Sequence, residues 1–581
     1  MKKAAGSGVK NAFAAVHAAA AAEHHARVDA VVAQVKARPD GVPMSIRKPS
    51  GSHQIHRRDW KKNCHRIDVG ALNNVLEIVP FGRDRIGERC AVAICEGQVA
   101  MGQLARAALA HGLVPQVVPE FNNFTVAGLI NGEGIQTSGF KFGVFSHSVI
   151  WAEVVLGNGD RVVASMDENF DLFEALPESM GTMGIVVTAA IALRPAKPFV
   201  RSTYRVFDDL DVFFDHFNRK VRHGSVATKP SDPDYLDFLE GLVLGPACYL
   251  SIESVFVADN TAGLPEYKPS SGAATGGKWY YQYIRQDVLA GPGNATSGKR
   301  GLTNPQRVAI EADVIETYEF LFRPMRGSWW MIECHIDWPW LTNQEWMRKN
   351  IDKKMINDVA AKGFELDNAT PHFTRNEADR CFVLQDLGIY LTRLKDGIRF
   401  VQTRLGVYPL WLCAVDLRRN IKPAADPKRP VRKAGTDWVV DIGIYGEPTI
   451  QPFKHRKVLK ELQSFVDAPS TWGVCYHESR ESLKKRFDPI RTKWHAVGAF
   501  PGMEDKILEQ TSKKEQENED EEPIFCWRMY RDHGPWWPLK TLVFFALVLA
   551  VLAAAGYGLY KAAALLPLTA VLPASNVAPD L

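Results

Sequence analysis

The segment Pro119–Gly143, PEFNNFTVAGLINGEGIQTSGFKFG, constrains this chain more than any other stretch, because it holds glycines at 128, 132, 134, 139 and 143. Glycine opens the φ range and lets successive backbone N–H groups converge on an anion. The spacing is not that of a GxGxxG turn between a strand and a helix, which argues against a doubly wound dinucleotide fold. It also lacks GxxxxGK[ST], which excludes a P-loop. On residue physics alone two readings stand: a set of turns, the commoner case, and a phosphate cradle.

The surroundings of this segment read as a mixed α/β unit over residues 67–200. Met101 to His111 has the pattern of a helix stopped by Gly112. Ile150–Leu156 and Arg161–Ala164 flank Asn158-Gly159-Asp160, a hairpin signal. Ile185–Leu193 reads as a buried strand closed by Pro195. From Phe199 onward the chain turns to aromatic-rich segments and long loops. Thr261–Asn304 is a Gly/Ser/Pro/Thr-rich loop around one ordered patch, KWYYQYIRQ.

At 581 residues, 46% of them apolar, the chain is long enough for two or more packed domains. A net charge of +4 does not point to nucleic acid. Nine cysteines, an odd number with no C-x-x-C, fit neither a disulfide framework nor a zinc site and suggest a reducing compartment. His335 has no partner at ligand spacing, so no metal site is expected.

The two ends differ in kind. Asn11–Ala22 is mostly alanine and runs straight into Glu23, His24, His25 and Arg27, which reads as a helix to about Arg38 rather than a signal peptide. Thr541–Tyr560 carries no charge over twenty residues, a helical length of about 30 Å, and has Trp536, Trp537, Tyr557 and Tyr560 at its ends. It reads as a single membrane span, preceded by the polar linker Lys506–Glu522. Arg528, Arg531 and Lys540 before it, against Lys561 after it, leave the large N-terminal part facing the cytosol.

Six stretches in order then carry a resemblance. VVPEFNNFTVAGLINGEGI (117–135), Met101-Gly102-Gln103-Leu104, Glu168-Asn169 with Asp171-Leu172-Phe173, Gly181-Thr182-Met183-Gly184 with Arg194-Pro195-Ala196-Lys197, Tyr408-Pro409-Leu410-Trp411-Leu412-Cys413, and Asp441 to Pro448 (DIGIYGEP) resemble segments of the delta-24 sterol reductase (24-dehydrocholesterol reductase) family, within the vanillyl-alcohol-oxidase-like FAD proteins. FPGMEDKI (Phe500–Ile507) resembles a further family segment. Together they span about residues 45–507.

The resemblance implies an α+β fold: a two-subdomain PCMH-type FAD-binding domain over 41–198 and an α+β substrate or cap domain over 199–507. An N-terminal helix (1–40) precedes them, and an acidic linker (508–538), a transmembrane anchor (539–561) and a short tail (562–581) follow. It implies FAD contacts at Ser45, Arg47, Thr125, Gly128, Gly132, Gly134, Gly143, Gly181, Gly184 and Ile185. No histidine lies in 119–145, so the FAD is expected to be noncovalent. The implied reaction is reduction of a sterol or other lipid alkene at a membrane, expected to be the endoplasmic reticulum. NADPH would be the reductant, hydride would pass from flavin N5 to one carbon, and a held acid would deliver a proton to the other. Tyr408 and Tyr445 are candidate donors, with Glu447 as a relay and Arg326 beside Arg323 as an anion-stabilising group; packing roles stand beside each. The chain departs from the family at Ala127, where the first glycine of a pair is usual, and at Gly97, Asn122, Asn123, Phe140, Phe142 and Glu178. Two other readings remain: another flavin oxidase or an alkylglycerone-phosphate-synthase-like enzyme of the same fold, and a catalytically weak flavoprotein scaffold.

Overall fold

The computed structural model describes residues 18–47, 64–179, 181–268, 279–290, 307–308, 310–325, 330, 383–419, 437–446, 448–450, 461, 465 and 490–496. Arg326, Glu447, the linker 508–538, the expected membrane segment 539–561 and the tail 562–581 lie outside them. Among the described residues no helix is long and apolar enough to cross a membrane.

Helix α1 (Ala18–Lys36) opens the described chain and buries Val28, Val31 and Val35, one stripe at helical spacing. The stripe packs on the parallel pair β1 (Met44–Arg47) and β2 (His65–Asp68), and on Val155, Ile185 and Val187 of the sheet beneath. A polar tie fixes its angle. Glu96, fully buried, lies 2.7 Å from His24 Nδ1 and accepts from Arg27 Nε at 2.8 Å and from the Asn74 backbone and side-chain nitrogens at 2.8 Å. Burial pushes its carboxyl upward, but the hydrogen bonds from His24, Asn74 and Arg27 outweigh this and hold it below the usual value.

The first sheet is antiparallel, in the order β3-β4-β8-β6-β7 with β5 also on β8. Its strands are β3 (Val75–Arg83), β4 (Arg89–Glu96), β5 (Leu113–Pro115), β6 (Val149–Val155), β7 (Arg161–Ser165) and β8 (Ile185–Pro195). An antiparallel sheet agrees with the lack of a Rossmann turn in the sequence. Strand β8 is buried along its whole length except Pro195, which suits its run of β-branched and alanine residues. Helix α2 (Met101–Leu109) covers one face with Met101, Leu104, Ala105 and Ala108 and stops before Gly112, whose φ is +67°.

The second sheet has seven antiparallel strands in the order β14-β9-β11-β10-β16-β17-β15. They are β9 (Phe199–Phe207), β10 (Phe238–Gly245), β11 (Cys248–Val257), β14 (Ala312–Glu316), β15 (Val383–Tyr390), β16 (Leu410–Asp416) and β17 (Trp438–Gly446); β12 (Leu289–Ala290) and β13 (Arg307–Val308) form a separate ribbon. The two faces of this sheet differ. Leu239, Val243, Leu387, Ile389, Leu412, Val440, Ile442 and Ile444 join Phe213 and Phe217, and Leu394, Ile398 and Val401, in one apolar core; these latter sets belong to the helices Leu210–Val226 and Leu394–Arg404. The opposite face carries Tyr204, Leu242, Ile252, Trp411, Cys413 and Tyr445, which share a core with Val118, Phe121, Phe145 and the first sheet.

The glycine-rich segment clasps the two sheets. It contains helix α3 (Val126–Gly132) and the single turn α4 (Gly139–Phe142). The Thr137 carbonyl accepts from Leu239 N at 2.8 Å, and the Phe140 carbonyl from Trp438 Nε1 at 3.2 Å. A side chain at Gly139 would stand 2.9 Å from the Ala414 carbonyl, so only glycine lets this turn lie on β16.

Candidate functional site

The expected FAD contacts divide by what surrounds them. Thr125 caps α3, its Oγ1 accepting from Gly128 N at 3.2 Å. At Gly132 and at Gly181 (φ +75°) an added Cβ would meet nothing within 4 Å, so the backbone there faces open space. Gly134 is wedged between Pro119 and Leu129, Gly143 (φ +77°) against the His147 ring, and Gly184 against Val154 and Val155. At these three positions the protein's own atoms already account for the glycine. Ile185 buries its side chain in the α1 core and pairs with Val155 in the first sheet. Ser45 is buried in β1, and Arg47 ends that strand opposite Asp68.

Two departures from the family explain each other. Ala127 N donates to the Gly97 carbonyl at 2.7 Å. A Cβ on Gly97 would fall 3.1 Å from the Ala127 methyl and 2.2 Å from the Val186 carbonyl. The methyl at 127 is thus accommodated by the missing side chain at 97.

Among the described residues, three hydroxyls in the first half of the chain are also left without partners. Thr137 Oγ1, Ser148 Oγ and Thr182 Oγ1 are buried without a hydrogen-bond partner. Thr182 is fully buried between Gly181 and Gly184. Orphaned hydroxyls cost free energy unless a ligand or water pairs them; Thr182, next in sequence to the open backbone at Gly181, fits a diphosphate-bearing cofactor, while Ser148 lies at the far end of β6. Thr137, Ser148 and Thr182 were not singled out from sequence; the signal available for Thr137 and Thr182 was a hydroxyl residue between glycines. Glu133 stands in the glycine-rich segment at φ +63°, a conformation rare outside glycine. Its carboxyl accepts from Gly134 N at 3.1 Å, Ser146 N at 3.0 Å and Ser146 Oγ at 2.5 Å. Burial, only partly offset by Ser146, pushes it up to about 7.

Across the clasp, the inner face of the second sheet gathers acids and phenols. Asp441 and Tyr445 point the same way from β17, Cys413 and Trp411 lie opposite Asp441 and Gly443 on β16, and Asp386 lies opposite Gly443 on β15. The Tyr445 phenol folds back over Gly443, where a Cβ would sit 2.7 Å from its oxygen, and donates to Asp386 Oδ1. Asp441 Oδ2 is buried without a partner. Burial, then Asp386 and Glu120, push the Asp441 carboxyl well above the carboxylate range, and Glu120 comes from the Pro119 end of the clasp. Burial first, then Asp386, raises the Tyr445 phenol as well.

Further along the same face, Glu240 accepts from Arg323 Nη2 at 2.5 Å, Tyr280 OH at 3.0 Å and Trp411 Nε1 at 3.2 Å. Asp313 accepts from Tyr204 OH at 2.7 Å and Tyr283 OH at 2.8 Å, and burial pushes it up to about 6. Arg323 is therefore a buried ion-pair member. Tyr408 is not on this face: it is half-buried against the helix-side core. Cys413 is fully buried, and burial raises its thiol well above its usual value, so it is no thiolate nucleophile. Among the described residues no group of three or more His, Cys, Asp or Glu is arranged to hold a metal ion.

Known proteins agree with this geometry. A family described as an FAD binding domain matches residues 16–165. The Delta(24)-sterol reductase of Arabidopsis thaliana is 27% identical over 527 residues, covering 86% of each chain. That of Homo sapiens is 27% identical over 462 residues, 77% of this chain and 78% of the relative. This chain is similar to delta(24)-sterol reductases over most of its length. Cytokinin dehydrogenase 7 of Oryza sativa subsp. japonica is 32% identical over 147 residues, 25% of this chain and 27% of that one. The FAD binding domain match identifies FAD as the cofactor.

Proposed function

We propose that this chain is an FAD-dependent reductase of the isolated side-chain alkene of a 24-unsaturated sterol, with NADPH as reductant. The observation that carries the reading is the clasp: a glycine-rich segment with an orphaned hydroxyl at Thr137 docks on a sheet whose facing side holds a buried acid–phenol group. Thr182, with the backbone at Gly132 and Gly181 and the β1 residues Ser45 and Arg47, would hold the FAD. When bound, FAD supplies the hydride that an unactivated alkene needs. The chain's own part is to exclude water, orient the alkene against the inner face and hold a proton there. Aromatic side chains suit the apolar substrate: Tyr281 and Trp330 pack edge to face at 5.5 Å, and Trp330 lies 5.8 Å from Tyr445. The match between Ala127 and Gly97 removes a reason to read the chain as a scaffold that has lost its cofactor.

In the test, purified protein is yellow and acid precipitation releases FAD into the supernatant. NADPH bleaches the flavin anaerobically, and a 24-unsaturated sterol restores the colour and leaves as the saturated product. A flavin that NADPH reduces but only oxygen reoxidises points to an oxidase of the same fold; a flavin that NADPH does not reduce points to a scaffold. The apolar run 541–560 acts, in this reading, as the anchor that brings the body to its lipid substrate. Ending the chain after Glu522 then yields a flavoprotein that carbonate washes from membranes; a truncate that resists the wash places the anchor elsewhere.

A further inference from the structure

We propose that Asp441 is the acid that delivers the proton to the alkene, and that Asp386 and Tyr445 are positioning residues that keep it protonated and aimed. The inference rests on the sterol-reductase reading and names the donor that reading leaves open.

Neither tyrosine meets the requirement. Tyr408 lies on the helix-covered side of the sheet. Tyr445 is on the inner face, but its hydroxyl hydrogen is already given to Asp386 Oδ1. An isolated alkene has no carbonyl to absorb charge, so it needs an acid of real strength. By reference value a carboxylic acid, at about 4, is a stronger acid than a phenol, at about 10, and burial raises both Asp441 and Tyr445.

Asp441 has the carboxyl in the right state. It is 7% exposed and its Oδ2 has no partner. As an anion, that oxygen would be buried and unpaired, which is costly; as a neutral acid, it carries a hydrogen still free to be given. Among the described residues, the groups that face Asp441 are Asp386 from β15, Cys413 from β16, Tyr445 from its own strand and Glu120 from the clasp. None of these is a cation. Neighbouring carboxyls in such a place cannot all ionise. Since Asp386 accepts the Tyr445 hydrogen, the anion is best placed on Asp386 and the proton on Asp441. Gly443 completes the arrangement, because a side chain there would push the Tyr445 phenol off Asp386.

The step balances with the hydride that the cofactor chemistry provides. The Asp441 O–H bond breaks as the alkene π pair forms a C–H bond to that proton. The other alkene carbon takes the hydride pair. Asp441 is left as a carboxylate and regains a proton from water before the next turnover.

The test uses the FAD-loaded enzyme and the variants Asp441→Asn, Asp441→Glu and Tyr445→Phe. First, the infrared difference between parent and Asp441→Asn at neutral pH should contain the C=O band of an un-ionised carboxylic acid, shifted by D2O; a difference showing only carboxylate bands overturns the proposal without any turnover being measured. Second, flavin reduced with stoichiometric dithionite is mixed anaerobically with a 24-unsaturated sterol. The single-turnover rate of Asp441→Asn should fall about 10²–10⁴-fold, the loss usual for a missing general acid. Asp441→Glu, which keeps the acid, should recover part of that loss. Tyr445→Phe should fall less and move the pH profile, because Asp386 loses its donor. Parent-like reoxidation of Asp441→Asn overturns the proposal alone. A parent that sterol does not reoxidise overturns the sterol-reductase reading and the proposal with it. If Asp441→Asn loses FAD, the glutamate variant and the infrared bands of the parent in D2O decide: a glutamate variant as slow as enzyme lacking any acid, or no neutral-acid band, counts against it.

Discussion

Glu133 shows how one residue can be pulled two ways. Its backbone sits at φ +63°, in a region that costs an ordinary residue roughly 1–3 kcal/mol, while its carboxyl fills a nest of N–H and O–H donors from Gly134 and Ser146. Burial lifts its pKa from 4.5 to about 7. The folded chain therefore keeps a proton that the unfolded chain releases, and this stability is fully present below 4.5 and is lost as pH rises towards 7. Glu133→Gln, which cannot ionise, should gain melting temperature over the parent between pH 5 and pH 8, with the gain levelling off above 7. Melting curves of both proteins at these pH values check it, and a constant difference would show that Glu133 does not titrate there. Nothing in GLINGEG announces this, because sequence gives neither φ nor the Ser146 contact. Thr125, which the sequence offered only as an FAD contact, turns out to cap α3.

At the scale of elements, legibility follows the contrast between faces. The β6–β7 hairpin could be read because Asn158-Gly159-Asp160 demands a turn, and Gly159 takes φ +84°. The buried strand at Ile185 and the helix at Met101 were legible from composition and period. Strand β17 was not: all nine residues of WVVDIGIYG are buried, so no alternation marks the face that holds Asp441 and Tyr445. Tyr408 and Tyr445 look alike in sequence, yet Tyr445 lies on the inner face of β17 while Tyr408, in the chain leading into β16, packs against the helix-side core. Helix α1 lies between these cases, since alanine on several faces blurs the valine stripe. Replacing Val28, Val31 and Val35 together by alanine removes about two carbon groups from each. At about 0.8 kcal/mol per buried group the loss should be roughly 5 kcal/mol. Urea unfolding should show it as a lower midpoint, whereas Val32→Ala, on a half-buried position of the same helix, should move it far less. Equal effects would mean that α1 is not docked by that stripe.

The whole molecule is organised around the inner face, where the two sheets share one core. Arg323 and Glu240 are 3% and 1% exposed and bonded at 2.5 Å. Arg323→Met leaves a buried carboxylate with only Tyr280 and Trp411 and should cost about 3–5 kcal/mol. Differential scanning calorimetry of the FAD-loaded variant checks this. If Glu240→Gln on the same background restores little of the loss, an uncompensated charge is not its source.

The seven-stranded sheet is assembled from two stretches of chain, 199–316 and 383–446, and within the sheet they meet where β10 pairs with β16 through Gly241–Leu412, Leu242–Trp411 and Val243–Leu410. The helix-side core also draws on both stretches, with Phe213 and Phe217 from one and Leu394 and Ile398 from the other. The covalent link between them is thus not what holds the sheet together. Expressed as two separate polypeptides divided between β14 and β15, the protein should reassemble by fragment complementation. Yellow colour would then depend on both pieces being present, turning this seam into a reporter of its own association.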